Sequence, residues 1–277
     1  MYFFLFFLVS ELCFYIFVQI IILRPMPKYI FIYYLFFFGI YNVSIAQNGR
    51  TYQEIGVMTG PVFFQSDFGA RDTFKNYYKN NGFSFGAFYY LSAISNYNQL
   101  QENFKLRIEA SYMSCNLNHY GQYVDNDSQS TFTKQLRAMR GNVETLNLGL
   151  QLEYYPFKTD DYNRGSMISP YISGGAQISN YTSNVYSTLG QFGSPSVTPV
   201  KYRNGFKNES GIVASLTTSI GSRFLLTDYT AIVVDARVQY YFSDWVDGLN
   251  PDKNIYTENK GNDWSTTLNV GYIYYFN

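Results

Sequence analysis

The stretch that most limits what this chain can become is its last one, Asp263 to Asn277. Read two residues at a time, one side carries Trp264, Thr266, Leu268, Val270, Tyr272, Tyr274 and Phe276. The other carries Ser265, Thr267, Asn269, Gly271, Ile273, Tyr275 and Asn277. Side chains of a strand alternate between two faces, so this is one greasy face and one small, mostly polar face. Apolar toward lipid and polar toward a lumen is the pattern of a membrane-barrel strand.

Composition supports that reading. Aromatics make up 20% of the 277 residues, led by 29 Tyr and 25 Phe, while charged residues make up only 14%. The mean hydropathy is nonetheless −0.16. Apolar and polar residues must therefore be interleaved, which argues against a helical membrane protein beyond the N-terminus. The formal net charge is zero, so no broad basic surface points to nucleic acid as a partner.

Two apolar segments open the chain, Tyr2 to Leu23 and Ile30 to Ile45. The second has the layout of a signal peptide, with Lys28 before the apolar run and Ser44-Ile45-Ala46 before Gln47. We read residues 26–46 as that signal peptide and 47–277 as the mature barrel. Residues 1–25 then form an upstream extension or extra apolar segment, the other reading being a membrane anchor. From Gln47 onward there are 18 basic and 19 acidic residues. Cys115 is the one cysteine left, so no internal disulfide or Cys-rich metal site can form in the mature chain.

Eight alternating stretches follow, each with room for the roughly 9–11 residues a tilted strand needs to cross a membrane. They begin at about Tyr52, Gly82, Phe104, Leu146, Ser169, Ser210, Ile232 and Trp264. Leu146, Leu148, Leu150, Leu152 and Tyr154 against Asn147, Gly149, Gln151 and Glu153 is the cleanest case. The connections Gln65–Asn81, Asn116–Asn142, Thr182–Glu209 and Asp244–Asn262 are long, and those between them are shorter. The fold class expected is all-β, an eight-stranded antiparallel transmembrane barrel with both termini on the periplasmic side of a bacterial outer membrane.

A soluble lipid-carrier barrel is the structural rival. The polar faces, however, bring Glu54, Lys105, Arg107, Glu109, Glu153, Arg223, Asp235 and Arg237, four acids and four bases. Inside a lumen these can pair; the greasy faces would overfill an eight-stranded interior. The lumen is therefore expected to hold a charge network and no open pore.

Catalysis finds little support. His119, the only histidine, has Asn118, Tyr120 and Gly121 beside it and no local Ser or Asp partner, and reads as a hydrated girdle residue. Asp125-Asn126-Asp127-Ser128 offers oxygen ligands but lacks the calcium-loop spacing, and Asp244, Asp247 and Asp252 are equally weak, so both read as solvated loop residues. No motif calls for a cofactor or a metal. Thr133 to Gly141 predicts a short helix with a threonine cap and a closing glycine. On it Lys134, Arg137 and Arg140 would form a basic stripe, a solvated face or a contact for lipopolysaccharide phosphates.

Glu54-Ile55-Gly56-Val57-Met58-Thr59-Gly60-Pro61, the Gly-rich strands and the Tyr-Tyr-Phe ending resemble the small outer-membrane β-barrel proteins of Bacteroidota. These are similar in architecture to OmpA/OmpX-type barrels and to the PorT-type barrels of type IX secretion and gliding. The resemblance spans the mature chain and implies a non-enzymatic, porin-like barrel displaying loops for structural, adhesive or assembly contacts. It also implies the barrel-assembly machinery as a partner. Three other roles remain open: an accessory of a secretion or gliding machine, a lipid carrier, and a barrel enzyme.

Overall fold

The computed structural model describes residues 50–69, 71, 73–94, 103–125, 129–157 and 168–276. The signal-peptide and upstream segments, residues 126–128 of the Asp-rich loop, and Asn277 lie outside the described residues.

Eight strands form a closed antiparallel barrel in chain order. They are β1 (Arg50–Gln65), β2 (Asn81–Ile94), β3 (Phe104–Asn118), β4 (Met139–Tyr154), β5 (Ile168–Ser187), β6 (Ser210–Thr227), β7 (Thr230–Tyr241) and β8 (Trp264–Phe276). The C-terminal stretch closes the ring, with Ile55 opposite Tyr274 and Val57 opposite Tyr272. Closure removes every strand edge, which lipid requires because it cannot hydrogen-bond a free backbone group. β6 and β7 meet in a tight turn through Asp228 and Tyr229, and the flanking Thr227 and Thr230 hydroxyls are hydrogen-bonded at 2.7 Å.

The alternation places apolar side chains outside. Leu146, Leu148, Leu150 and Leu152 are 50–61% exposed, while Asn147, Gln151 and Glu153 between them are buried. Aromatic rings flank this belt at both ends. Phe104 with Tyr154 and Tyr274 with Phe276 pair at the short-turn end; Tyr240 with Phe242 and Tyr77 with Trp264 pair at the long-loop end. An apolar band between two aromatic girdles is the outer surface of a membrane barrel. A soluble carrier would show the opposite polarity.

Above the belt the polarity inverts. In β4 the inward set continues as Met139, Gly141 and Val143, and the outward set becomes Arg140, Asn142 and Glu144. β3 does the same, with Cys115 and Leu117 inside against Asn116 and Asn118. In β5, Tyr181 and Val185 point in while Thr182 and Asn184 point out. Once the wall leaves lipid its outside faces water, and the lumen holds an ordinary apolar core. A reading by membrane polarity alone therefore ends these strands too early. Segments assigned to loops, Asn116 to Asn118, Met139 to Asn142 and Thr182 to Ser187, are ladder.

The walls differ in height. β5 has 20 residues and β4 has 16, whereas β7 has 12 and β8 has 13. Among the described residues three short α-helices sit at the long-loop end: α1 (Phe74–Lys79), α2 (Gln122–Asp125) and α3 (Thr131–Ala138).

The predicted helix is present but shifted. Its cap is Ser130, whose hydroxyl accepts from the Thr133 N–H at 3.1 Å. Thr133 is buried inside the helix, and its hydroxyl lies 2.9 Å from that of Ser130. Gly141 ends nothing; it pairs with Leu117 and Val185 in the sheet.

Candidate functional site

The middle of the lumen is a network of charges on five strands. Glu54 of β1 receives Lys105 of β3 at 2.7 Å and also Arg223 of β6. Arg223 reaches on to Glu153 of β4 at 3.1 Å, and Arg107 of β3 meets the other oxygen of Glu153 at 2.8 Å. Arg107 lies 3.3 Å from Glu109, which also takes Arg237 of β7, and Arg237 is 3.4 Å from Asp235. All eight residues predicted for the lumen are thus together and at most 5% exposed. Several of the pairs cross the barrel between strands that are not neighbours, so they brace it as well as neutralise one another.

Tyrosines complete the shell. Tyr90 donates to Glu153 at 3.0 Å and Tyr171 to Asp235 at 2.8 Å, and the Arg223 guanidinium lies 4.3 Å from the Tyr90 ring centre. A cavity beside Met58, Glu109, Asn147 and Arg237 measures about 20 Å³, room for about one water.

Toward the long loops the lumen is plugged by apolar residues, among them Val62, Phe64, Met113, Leu117, Val143 and Tyr241. The four long loops close over this plug and are tied to one another. Asp67 of the first accepts at its carbonyl from the Tyr202 hydroxyl of the third, at 3.0 Å. Gln135 on α3 donates to the Pro195 and Ser196 carbonyls at 3.1 and 3.0 Å. The Lys207 N–H donates to the Gly248 carbonyl at 2.9 Å, joining the third loop to the fourth.

One part of this cap was invisible in the sequence. Asp67, Asp244, Asp247 and Asp263, all at most 4% exposed, gather around Arg71. Arg71 lies 2.8 Å from Asp67, 3.1 Å from Asp244 and 3.5 Å from Asp263. The Asp67 N–H donates to Asp247 at 2.7 Å, and the Asp247 N–H to Asp263 at 3.1 Å. Burial drives all four carboxyls upward, Asp244 to about 7, against the pull of Arg71 on Asp67, Asp244 and Asp263. Asp244 and Asp247 are therefore buried members of the cap and not solvated loop residues. Asp252, grouped with them in the sequence, instead accepts from the Asn254 N–H in its own turn. Among the described residues no His, Cys, Asp and Glu cluster is arranged to hold a metal ion. The residues of this group come from distant loops, and no local motif could have revealed them.

His119 is not hydrated. It is 5% exposed, between the rings of Phe68 and Tyr202, and its Nδ1 accepts from the Gly69 N–H at 2.7 Å. Burial, with Lys201 and Arg140 nearby, pushes its pKa down to about 3, so the ring stays neutral and serves as packing.

The basic stripe is not one helix face. Lys134 is exposed on α3, but Arg137 donates to the Val124 carbonyl at 2.8 Å, and Arg140 lies in β4 donating to the Met139 carbonyl at 2.8 Å. Both arginines are engaged in holding α2, α3 and β4 together.

Between α2, α3 and the first, third and fourth long loops lies a cavity of about 570 Å³. Tyr123, Phe132 and Val200 stand at its walls 60%, 43% and 66% exposed. Gln122, Lys201 and Glu258 supply polar groups, with Lys201 and Glu258 paired at 2.8 Å. A cavity of this size is in the range that holds small molecules.

Among solved structures, Neisserial surface protein A is similar over 83% of this chain and 100% of its own, with 11% identity and a TM-score of 0.40. A major outer membrane protein of Thermus thermophilus is similar over 82% of this chain and 99% of its own, with 12% identity and a TM-score of 0.46. The attachment invasion locus protein Ail of Yersinia pestis is similar over 83% and 100%, with 13% identity and a TM-score of 0.36. No curated protein matches the sequence. A family model matches residues 29–276, and the chain belongs to that family, the Domain of unknown function (DUF6089).

Proposed function

We propose that this chain is a non-enzymatic barrel of the bacterial outer membrane whose long-loop end is a displayed contact surface. The observation that carries this reading is the division of the barrel along its axis. A lipid-compatible belt surrounds a lumen saturated by its own charges, and above it the loops form an ordered cap with a walled cavity. The belt fixes the protein in the membrane and the filled lumen excludes transport. Loops held on a rigid scaffold are where contacts are made. In this reading both termini lie on the periplasmic side, and the long loops face outward.

The resemblance to the Bacteroidota and PorT-type barrels supports a structural, adhesive or assembly role within this reading. The barrel-assembly machinery is the partner it implies; lipopolysaccharide around the belt is the partner the basic residues suggest, with Lys134, the exposed member of the broken stripe, as the candidate anion contact. Fractionation of cells and labelling of Cys substituted at Thr131 or Asp252 with an impermeant reagent tests the reading. Outer-membrane recovery with both sites labelled is the expected result; a soluble protein, or sites shielded in intact cells, would contradict it. Cross-linking that recovers secretion-machine components in fixed proportion would identify the accessory role.

A further inference from the structure

We propose that the cap cavity binds a neutral saccharide unit. This rests on the long-loop end being the displayed surface, and it adds the chemistry of what is bound there.

Size and wall chemistry come first. The cavity of about 570 Å³ is bounded by segments of all four long loops. Its walls keep Tyr123, Phe132 and Val200 in water at 60%, 43% and 66% exposure, although the same loops bury Leu136 and Tyr202 beneath them. Two open aromatic rings and a Val at the mouth of a walled hollow are surface that a ligand can cover. A pyranose presents one face of C–H groups that packs on an aromatic ring, and hydroxyls at its edge that need donors and acceptors. Gln122, Lys201 and Glu258 offer both kinds of group beside the rings.

The charge state then excludes the other classes. An anion would need a free cation. Arg71 is committed to Asp67 and Asp244 at 2.8 and 3.1 Å, and Lys201 is held by Glu258 at 2.8 Å and lies over the rings of Tyr202 and Tyr256. A cation would meet Lys201 and Arg71 themselves. A wholly apolar ligand would strip water from Gln122, Lys201 and Glu258 with nothing in return, which burial of polar groups penalises. A neutral ligand rich in hydroxyls satisfies the pair without breaking it.

The test uses the full barrel in lipid nanodiscs on an array of neutral, sulfated and sialylated glycans, followed by calorimetric titration with the strongest neutral binder. Capture of a neutral glycan is expected, weakened at least tenfold by Tyr123→Ala and by Phe132→Ala. Phe74→Ala, at a residue 77% exposed and outside the cavity walls, should bind as the parent does. Heat-modifiable gel migration checks that each variant is folded; Gln122→Ala replaces any that is not. Binding of anionic glycans alone, of no glycan, or equal binding by parent and cavity variants would overturn the proposal. Impermeant labelling of Thr131→Cys in intact cells separates the two levels. A labelled cap without glycan binding removes only the saccharide, whereas a shielded cap removes the display reading beneath it.

Discussion

The ring of Phe68, from the first long loop, occupies the space where a side chain at Gly141 of β4 would stand. A Cβ built on Gly141 would lie 2.5 Å from the Phe68 Cζ. Gly141 is thus the seat of the cap. We predict that Gly141→Val displaces Phe68 and loosens the cap by about 1–3 kcal/mol, the usual cost of overpacking. Limited proteolysis should cut the first long loop faster in the variant, while the barrel keeps its heat-modifiable migration. Unchanged cleavage would show that the cap does not depend on this contact.

The lumen network predicts a larger effect. Glu54 holds both Lys105 and Arg223. Glu54→Gln should therefore cost about 3–5 kcal/mol, the range found when a buried charge loses its partner. Adding Lys105→Met should recover part of that loss by removing one stranded cation. Urea unfolding in lipid, followed by gel migration, reads both changes; a single variant as stable as the parent would show the pairs to be dispensable.

No pore is expected. Arg107, Arg223, Lys105 and Arg237 fill the lumen at 0–5% exposure, and an apolar plug lies above them. Planar-bilayer recordings of the purified barrel should show no stable large conductance.

Cap stability should fall as pH rises. Asp244 is raised from the usual aspartate value to about 7, so the folded cap holds its proton more tightly than the unfolded loop does. That contribution is fully present below about 3.8 and is lost as pH climbs through about 7. Asp67, Asp247 and Asp263 are raised too and act in the same direction. Proteolysis of the fourth long loop should accelerate as pH rises from about 4 to about 8, and Asp244→Asn should flatten that dependence. A rate independent of pH in the parent, with the protease corrected for its own profile, would count against it.

At the N-terminus we propose cleavage after Ala46, on the strength of Lys28, the apolar run and the small residues at Ser44 and Ala46. The mass of the chain isolated from outer membranes should correspond to a start at Gln47; a mass that includes residues 1–46 would contradict it.

The belt was legible because lipid imposes one rule on every strand. Leu146 to Tyr154 announces both its outside and its inside, and the eight lumen charges follow from the same parity. Above the membrane the rule reverses, so Leu117 and Met139 look like loop residues although they are wall. Replacing Asn126–Gly141 by a turn would cut into β4 and remove Leu136 and Met139 from the upper core. The aspartate group around Arg71 is illegible for another reason: Asp67 and Asp263 meet only once the barrel has closed.

The uneven wall has a consequence for how the protein sits among its neighbours. At about 3.3 Å per residue the 20 residues of β5 run about 65 Å, and even tilted they outreach an apolar band about 25 Å tall. β7, with 12, leaves little above that band. A cylinder in a membrane has no heading, but a parapet on one side and a low sill on the other give it one. On the low side the rim is completed by the fourth long loop instead of by ladder, so the surface that a lateral neighbour would meet differs with direction.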